Sequence, residues 1–589
     1  MRVIAPARWV VVVLLLLMWR APAARAQVAN AERIDPAVLT AFARAGEASY
    51  LVLLREAADV SAATAMTDRL ERGRFVYSRL QQVAESSQAS IRTFLRAEQQ
   101  AGRVRQMRPY FIINAIAVRS TRSVALALAA FPEVDRIIVP PEATIPAPQP
   151  ASDAATPQAI EWNLTQIGAP TLWANGIKGQ GIVVANIDTG VQFDHPALVT
   201  QYRGNLGGGV FDHNYNWWDA SGPLGGPGAL VPIDDQGHGT HTMGTMVGND
   251  GGANQIGVAP SARWMACKAC STLSCSFIGL LECGQFVLAP WNLAEQNPNP
   301  DLRPHVVNNS WGFAFGGIGL YRTVVQNWRA AGIFPAFSAG NAGPGCNTTA
   351  SPGDYPEAFA TGATDRSDAI ADFSSRGPSA FSGIVKPDAS APGVAVRSSV
   401  PTNSYATFSG TSMASPHTAG LVALLWSFYP GLVRDVDNTE KKLRPAASIL
   451  NTSQACGGNG PTTHPNNVFG WGRHDAVPGI ALINIYADKS VYSTGETASI
   501  RVSLVSPLTT GWSLDLHLGV IFPGGSTLST TPITIAPLTE VFDIPVGNFT
   551  WSTEPAGEYT WFVILTEHGA DVNDPATHLS GDVARVTKN

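Results

Sequence analysis

The run Ile182-Val183-Val184-Ala185-Asn186-Ile187 constrains this chain more than any other feature, because it shows water no polar face along its length and then stops at Asp188-Thr189-Gly190. Such a run fits a strand covered on both sides, as in a parallel sheet layered between helices. From about residue 160 to about residue 478, further buried-type strands alternate with small-residue helices and glycine-rich turns. That alternation predicts one large α/β domain with a mostly parallel sheet. Asp188 would then sit at a strand's carboxyl end, where open α/β sheets bind their ligands.

A chain of 589 residues exceeds what one apolar core organises, so further domains are expected on either side. Residues 1–26 read as a signal peptide: Arg2 and Arg8 precede an apolar run too short to span a bilayer, and Ala24-Arg25-Ala26 fits a cleavage site. Export is therefore expected, to the extracellular space or the periplasm, without a stable membrane anchor. Residues 47–140 alternate short apolar strands with a polar helical stretch, a small α+β unit. Residues 141–158 are rich in Pro, Ala and Gln and read as an exposed linker that a protease reaches. After the large domain (159–480), short strands separated by Gly, Pro and Ser turns predict a β-sandwich over 481–589. A net charge of −6 without any Lys/Arg-rich run provides no field for phosphate backbones, so no nucleic-acid partner is expected. Cys267, Cys270, Cys275, Cys283, Cys346 and Cys456 fit disulfides or buried thiols of an exported chain, with connectivity open. Cys267-x-x-Cys270 lacks the second ligand pair that zinc requires.

Four segments carry chemistry. Asp188 alone is ambiguous, since an Asp closing a strand is commonly a turn or cap residue. His238 stands between Gly237 and Gly239, where backbones approach closely; His241 is assigned a buried supporting place, and the pair lacks the H-x-x-x-H spacing of a helical zinc site. In Phe408-Ser409-Gly410-Thr411-Ser412-Met413-Ala414-Ser415-Pro416-His417, a glycine-marked turn delivers Ser412 to the first turn of a helix that stops at Pro430. Unsatisfied N–H groups and the positive dipole end favour negative charge there. A plain Ser N-cap would not account for the flanking Gly-Thr and Ala-Ser-Pro. Ser338-Ala339-Gly340-Asn341 ends another apolar strand in a side chain able to donate two hydrogen bonds, and Ser310-Trp311-Gly312 ends a strand that an extended peptide could pair with.

In the order Asp, His, Asn, Ser these segments resemble the subtilisin family of serine proteases. Asn214-Tyr215-Asn216-Trp217-Trp218-Asp219, Met243-Gly244-Thr245-Met246-Val247-Gly248-Asn249-Asp250 and Ile256-Gly257-Val258-Ala259-Pro260 are similar to its bacillopeptidase F branch. The resemblance implies a secreted serine endopeptidase acting on polypeptides through an acyl-enzyme, with Asp188, His238 and Ser412 as triad and Asn341 as oxyanion donor. It implies a substrate strand laid beside Ser310, Trp311, Gly312, Ser338, Ala339 and Gly340. Residues 47–140 resemble an inhibitory propeptide, making the chain a self-processing zymogen whose first partner is its own propeptide; the enzyme is expected to be a monomer without cofactor. Family members often hold calcium near the Gly-Val-Ala-Pro segment, but Ala197 replaces a ligand and the loop 248–255 is short. Asp250 and Asn254 could coordinate a hard cation; a solvated turn is the expectation, and no metal residue is assigned. An α/β-hydrolase esterase would need G-x-S-x-G and the order Ser, Asp, His, neither of which is present.

Overall fold

The computed structural model describes residues 32–588 except 146–148, 151–158 and short interruptions, most of them beyond residue 476. The signal segment 1–26, most of the linker 141–158 and the boundary at 480–481 thus lie outside the described residues.

The first unit is one long helix, α1 (Arg69–Gln100), laid on four antiparallel strands, β1 (Glu47–Leu54), β2 (Val104–Tyr110), β3 (Ala115–Thr121) and β4 (Val134–Ile138), in the order β2-β3-β1-β4. Asp68 starts the helix by accepting from the N–H groups of Leu70 and Glu71, both at 2.9 Å. Side chains alternate along β1 with the period of a strand. Tyr50 and Val52 enter the unit's own core with Ile91, Leu95 and Val118. Leu51 turns the other way, into a core shared with Leu280, Leu281, Phe286 and Trp328 of the large domain. The sheet is therefore apolar on both faces.

The large domain contains seven described strands, β5 (Val183–Asp188), β6 (Trp217–Asp219), β7 (Arg263–Lys268), β8 (Val306–Asn309), β9 (Phe334–Ser338), β10 (Phe359–Thr364) and β11 (Ala389–Pro392). They lie in the order β6-β7-β5-β8-β9-β10-β11, and every pairing is parallel. The expected two-sided burial is borne out residue by residue: Val184, Ala266 and Ala336 pack with Met243 and Leu424, whereas Ala185, Met265 and Phe337 pack with Leu280 and Trp328. Helices α2 (His238–Val247) and α5 (Thr411–Phe428) thus cover one face, and α3 (Phe277–Leu288) and α4 (Arg322–Ala330) the other. The β1 unit docks on α3 and α4, where buried polar groups are matched: Arg108 pairs with Glu282, Gln285 Oε1 accepts from Phe111 N at 2.6 Å, and Asn327 Nδ2 donates to Ile112 O at 2.7 Å.

Beyond residue 481 the described strands form two sheets around one apolar core that includes Ile485, Ile500, Val502, Leu518, Trp551 and Val563. All six cysteines are bridged, Cys267 to Cys283, Cys270 to Cys275 and Cys346 to Cys456. No helix of the described residues is long and apolar enough to cross a membrane.

Three imidazoles lie wholly inside the large domain. Burial pushes His241 down to about 3, with neighbouring His238 adding to the effect, His417 down to about 4 and His474 down to about 3. In an unfolded chain each takes up a proton near 6.5, so below that pH the unfolded state binds protons the folded state refuses. Stability should be complete above about pH 6.5 and fall as the pH drops toward 4, by about 1.4 kcal/mol per pH unit for each proton. Melting temperatures measured from pH 8 to 4 check this, and a flat profile across the acid limb would refute it.

Candidate active site

β5 delivers Asp188 at its carboxyl end, wholly buried, and His238 opens α2 directly above it. His238 Nδ1 stands 2.8 Å from Asp188 Oδ1; a carboxylate only accepts, so the proton is on Nδ1. The same oxygen accepts from Thr189 N at 2.7 Å, and Thr242 Oγ1 lies 3.5 Å from Oδ2.

This meeting depends on two glycines. A Cβ on Gly239 would sit 2.1 Å from the carbonyl oxygen of Gly190, and Gly190 itself has φ +107° with the Ile233 carbonyl where a Cβ would go. Only residues without side chains let helix and strand end close on each other. Asp234 then locks the contact. Its carboxylate accepts from Thr189 Oγ1 (2.9 Å), Gln236 N (3.1 Å), Gly237 N (2.8 Å), Thr240 N (2.8 Å) and Thr240 Oγ1 (2.6 Å), which satisfies the helix start and ties it to the residue after Asp188. Sequence reading missed this role; the signal was an acidic residue shortly before a helix N-terminus.

Ser412 is the second residue of α5 and buried. Its hydroxyl donates to the Ser310 carbonyl at 3.2 Å, while Ser310 Oγ donates back to the Ser412 carbonyl at 3.0 Å. His238 Nε2 is buried and has no hydrogen-bond partner among the described residues. Asn341 stands just past β9, and its Oδ1 accepts from Thr411 N (2.9 Å) and Thr411 Oγ1 (2.7 Å). That leaves Nδ2 beside Gly410, two residues before the serine, with no bond among the described residues.

The chain's own residues run along this cleft. Thr144 and Gly312 exchange backbone hydrogen bonds of 2.8 and 3.0 Å, while Ala143 and Thr144 pair on their other side with Cys275 and Ser274. The chain emerges at Gln149 and Pro150, which pair with Ser409 and Phe408, three and four residues before Ser412. Of the six residues expected to line a substrate, Gly312 makes this contact through its backbone. Trp311 points into the core against Phe337 and Tyr321. Ser338, Ala339 and Gly340 do not pair with the described part of the segment; the second gripping edge is Ser274–Cys275, too short a strand for sequence periodicity to reveal. At the loop 248–255, the Asp250 carboxylate accepts from Gly252 N and Asn254 Nδ2, and Asn254 Oδ1 accepts from Arg397.

A parallel sheet with an Asp–His pair at one strand end and a serine at a facing helix start defines a subtilase-type scaffold. The chain belongs to the subtilase family, whose pattern matches residues 179–472. It is 42% identical to Bacillopeptidase F of Bacillus subtilis (strain 168) over 428 residues, 69% of this chain and 28% of that protein. It is 33% identical to Subtilisin E of the same strain over 46% of this chain and 62% of that protein. With Subtilisin DY of Bacillus licheniformis it shares 33% identity, over 50% of this chain and 94% of that protein.

Gly239→Ala should lower the melting temperature sharply and abolish any activity, because the clash is with backbone that cannot move aside. Gly431→Ala, with nothing within 4 Å of the added methyl, should change stability by no more than about 0.5 kcal/mol. Equal melting temperatures for the two variants would refute the argument.

Proposed function

We propose that the chain is an exported serine endopeptidase, made as a zymogen that cuts itself free of its N-terminal unit. The observation that carries this reading is the chain's own segment in the cleft: Glu142–Thr144 held like an added strand on one side of Ser412, and Gln149–Pro150 on the other. A peptide so held is oriented for attack, which removes much of the entropic barrier. Three bridges and no free cysteine suit an oxidising compartment outside the cytoplasm.

In the reaction, Ser412 Oγ leaves the Ser310 carbonyl and attacks the peptide carbonyl as His238 Nε2 takes its proton; catalytic hydrogen bonds commonly tighten only once substrate is bound. Asp188 fixes the tautomer that leaves Nε2 free and stabilises the imidazolium. The Asn341 Nδ2 amide and the Ser412 N–H hold the oxyanion, after which His238 returns the proton to the leaving amine and water resolves the acyl-enzyme. The N-terminal unit inhibits by docking on α3 and α4 while its tail fills the cleft. Because His238 acts as a base only when neutral, the rate should rise from acid to neutral pH.

Ser412→Ala should accumulate at full length and fail to clear casein; a variant that still matures would remove the self-processing claim. Asn341→Leu should keep KM and lose about 10² to 10³ in kcat, the magnitude carried over from the equivalent donor of a subtilisin. An unchanged kcat would refute the oxyanion role.

A further inference from the structure

We infer that the disulfide-closed hairpin of Cys270–Ser271 and Ser274–Cys275 makes the enzyme favour extended peptides over short ones, an inference that rests on the proteolytic reading above. The hairpin's outer strand is one of the two edges holding the chain's own segment, with Cys275 opposite Ala143 and Ser274 opposite Thr144, and Ser274 Oγ also lies 3.0 Å from Glu142 Oε2. Its inner strand pairs Cys270 with Cys275 and Ser271 with Ser274.

Two-residue strands are too short to hold an edge in place, and an edge that is mobile when empty must be ordered by each substrate that binds. Two features remove that freedom. The Cys270–Cys275 bridge closes the hairpin across a sequence separation of 5. Lys268, buried at the end of β7, moors its foot: Nζ donates to Cys270 O at 3.0 Å, to Thr189 O at 2.6 Å and to Asp235 Oδ1 at 2.7 Å. An ammonium has three protons, and here each goes to a segment framing the site: the hairpin, the residue after Asp188, and the turn leading to His238. The substrate edge is thus fixed to the same cation as the loops that carry the catalytic pair. A peptide reaching back to the positions of Ala143 and Thr144 gains from this pre-ordered edge, whereas a single-residue ester never touches it.

The test compares kcat/KM for a five-residue peptide anilide with that for a single-residue ester, in the mature enzyme and in its C270S/C275S variant. The peptide-to-ester ratio should fall about ten-fold, the weight of one or two backbone hydrogen bonds no longer pre-ordered. Should that variant fail to accumulate, Ser274→Gly, which keeps every bridge but loosens the strand, should lower the ratio in the same direction. A ratio equal to wild type in the variant tested overturns the role of the hairpin alone. A wild-type enzyme that hydrolyses neither substrate overturns the proteolytic reading and this inference with it.

Discussion

A sheet buried on both faces can present a reactive group only where its strands end, and this constraint organises the whole large domain. β5 gives each face an unbroken apolar surface through Val184 and Ala185, so its first ionised side chain is Asp188, at the rim. A carboxylate taken out of water there must be met by donors. Thr189 N and the His238 imidazole supply them, and the imidazole reaches its place because Gly190 and Gly239 let helix and strand touch through bare backbone.

Beneath the rim, polar side chains inside the sheet join the three arms of the site. Asn186 on β5 donates to Gly239 O (3.0 Å) and Thr242 Oγ1 (2.9 Å) on α2. Asn308 on β8 donates to Ser310 Oγ at 3.0 Å, and its Oδ1 accepts from Ser415 of α5 at 2.7 Å. The two asparagines approach each other at 3.4 Å. Such a network, once its members are matched, fixes one arrangement of strand and helix where apolar packing alone would tolerate several.

What could be read from the sequence was whatever local chemistry decides. Apolar runs ending in Asp188 and in Ser338-Ala339-Gly340-Asn341, a histidine between glycines, and a serine behind Gly410 announced strand ends and helix starts, and the parallel sheet followed from strands with no polar face. What could not be read depended on distant segments meeting. The five donors around Asp234 come from a loop and a helix brought together by the fold. The bridge Cys270–Cys275 joins residues across a hairpin whose strands are too short to show alternation, and its cysteines invited comparison with a metal motif instead. The Ser310 carbonyl that holds the Ser412 hydroxyl is likewise set by how β8 meets α5.

The two apolar faces of the β1 sheet have one more consequence. Joined to the large domain, the sheet hides Leu51, Ala115 and Ala117 against α3 and α4. Severed and displaced, it would carry that face into solvent, where exposed apolar surface weakens a small fold and invites capture or degradation. The inhibitor is thus stable mainly as a lodger, and its eviction tends to be final.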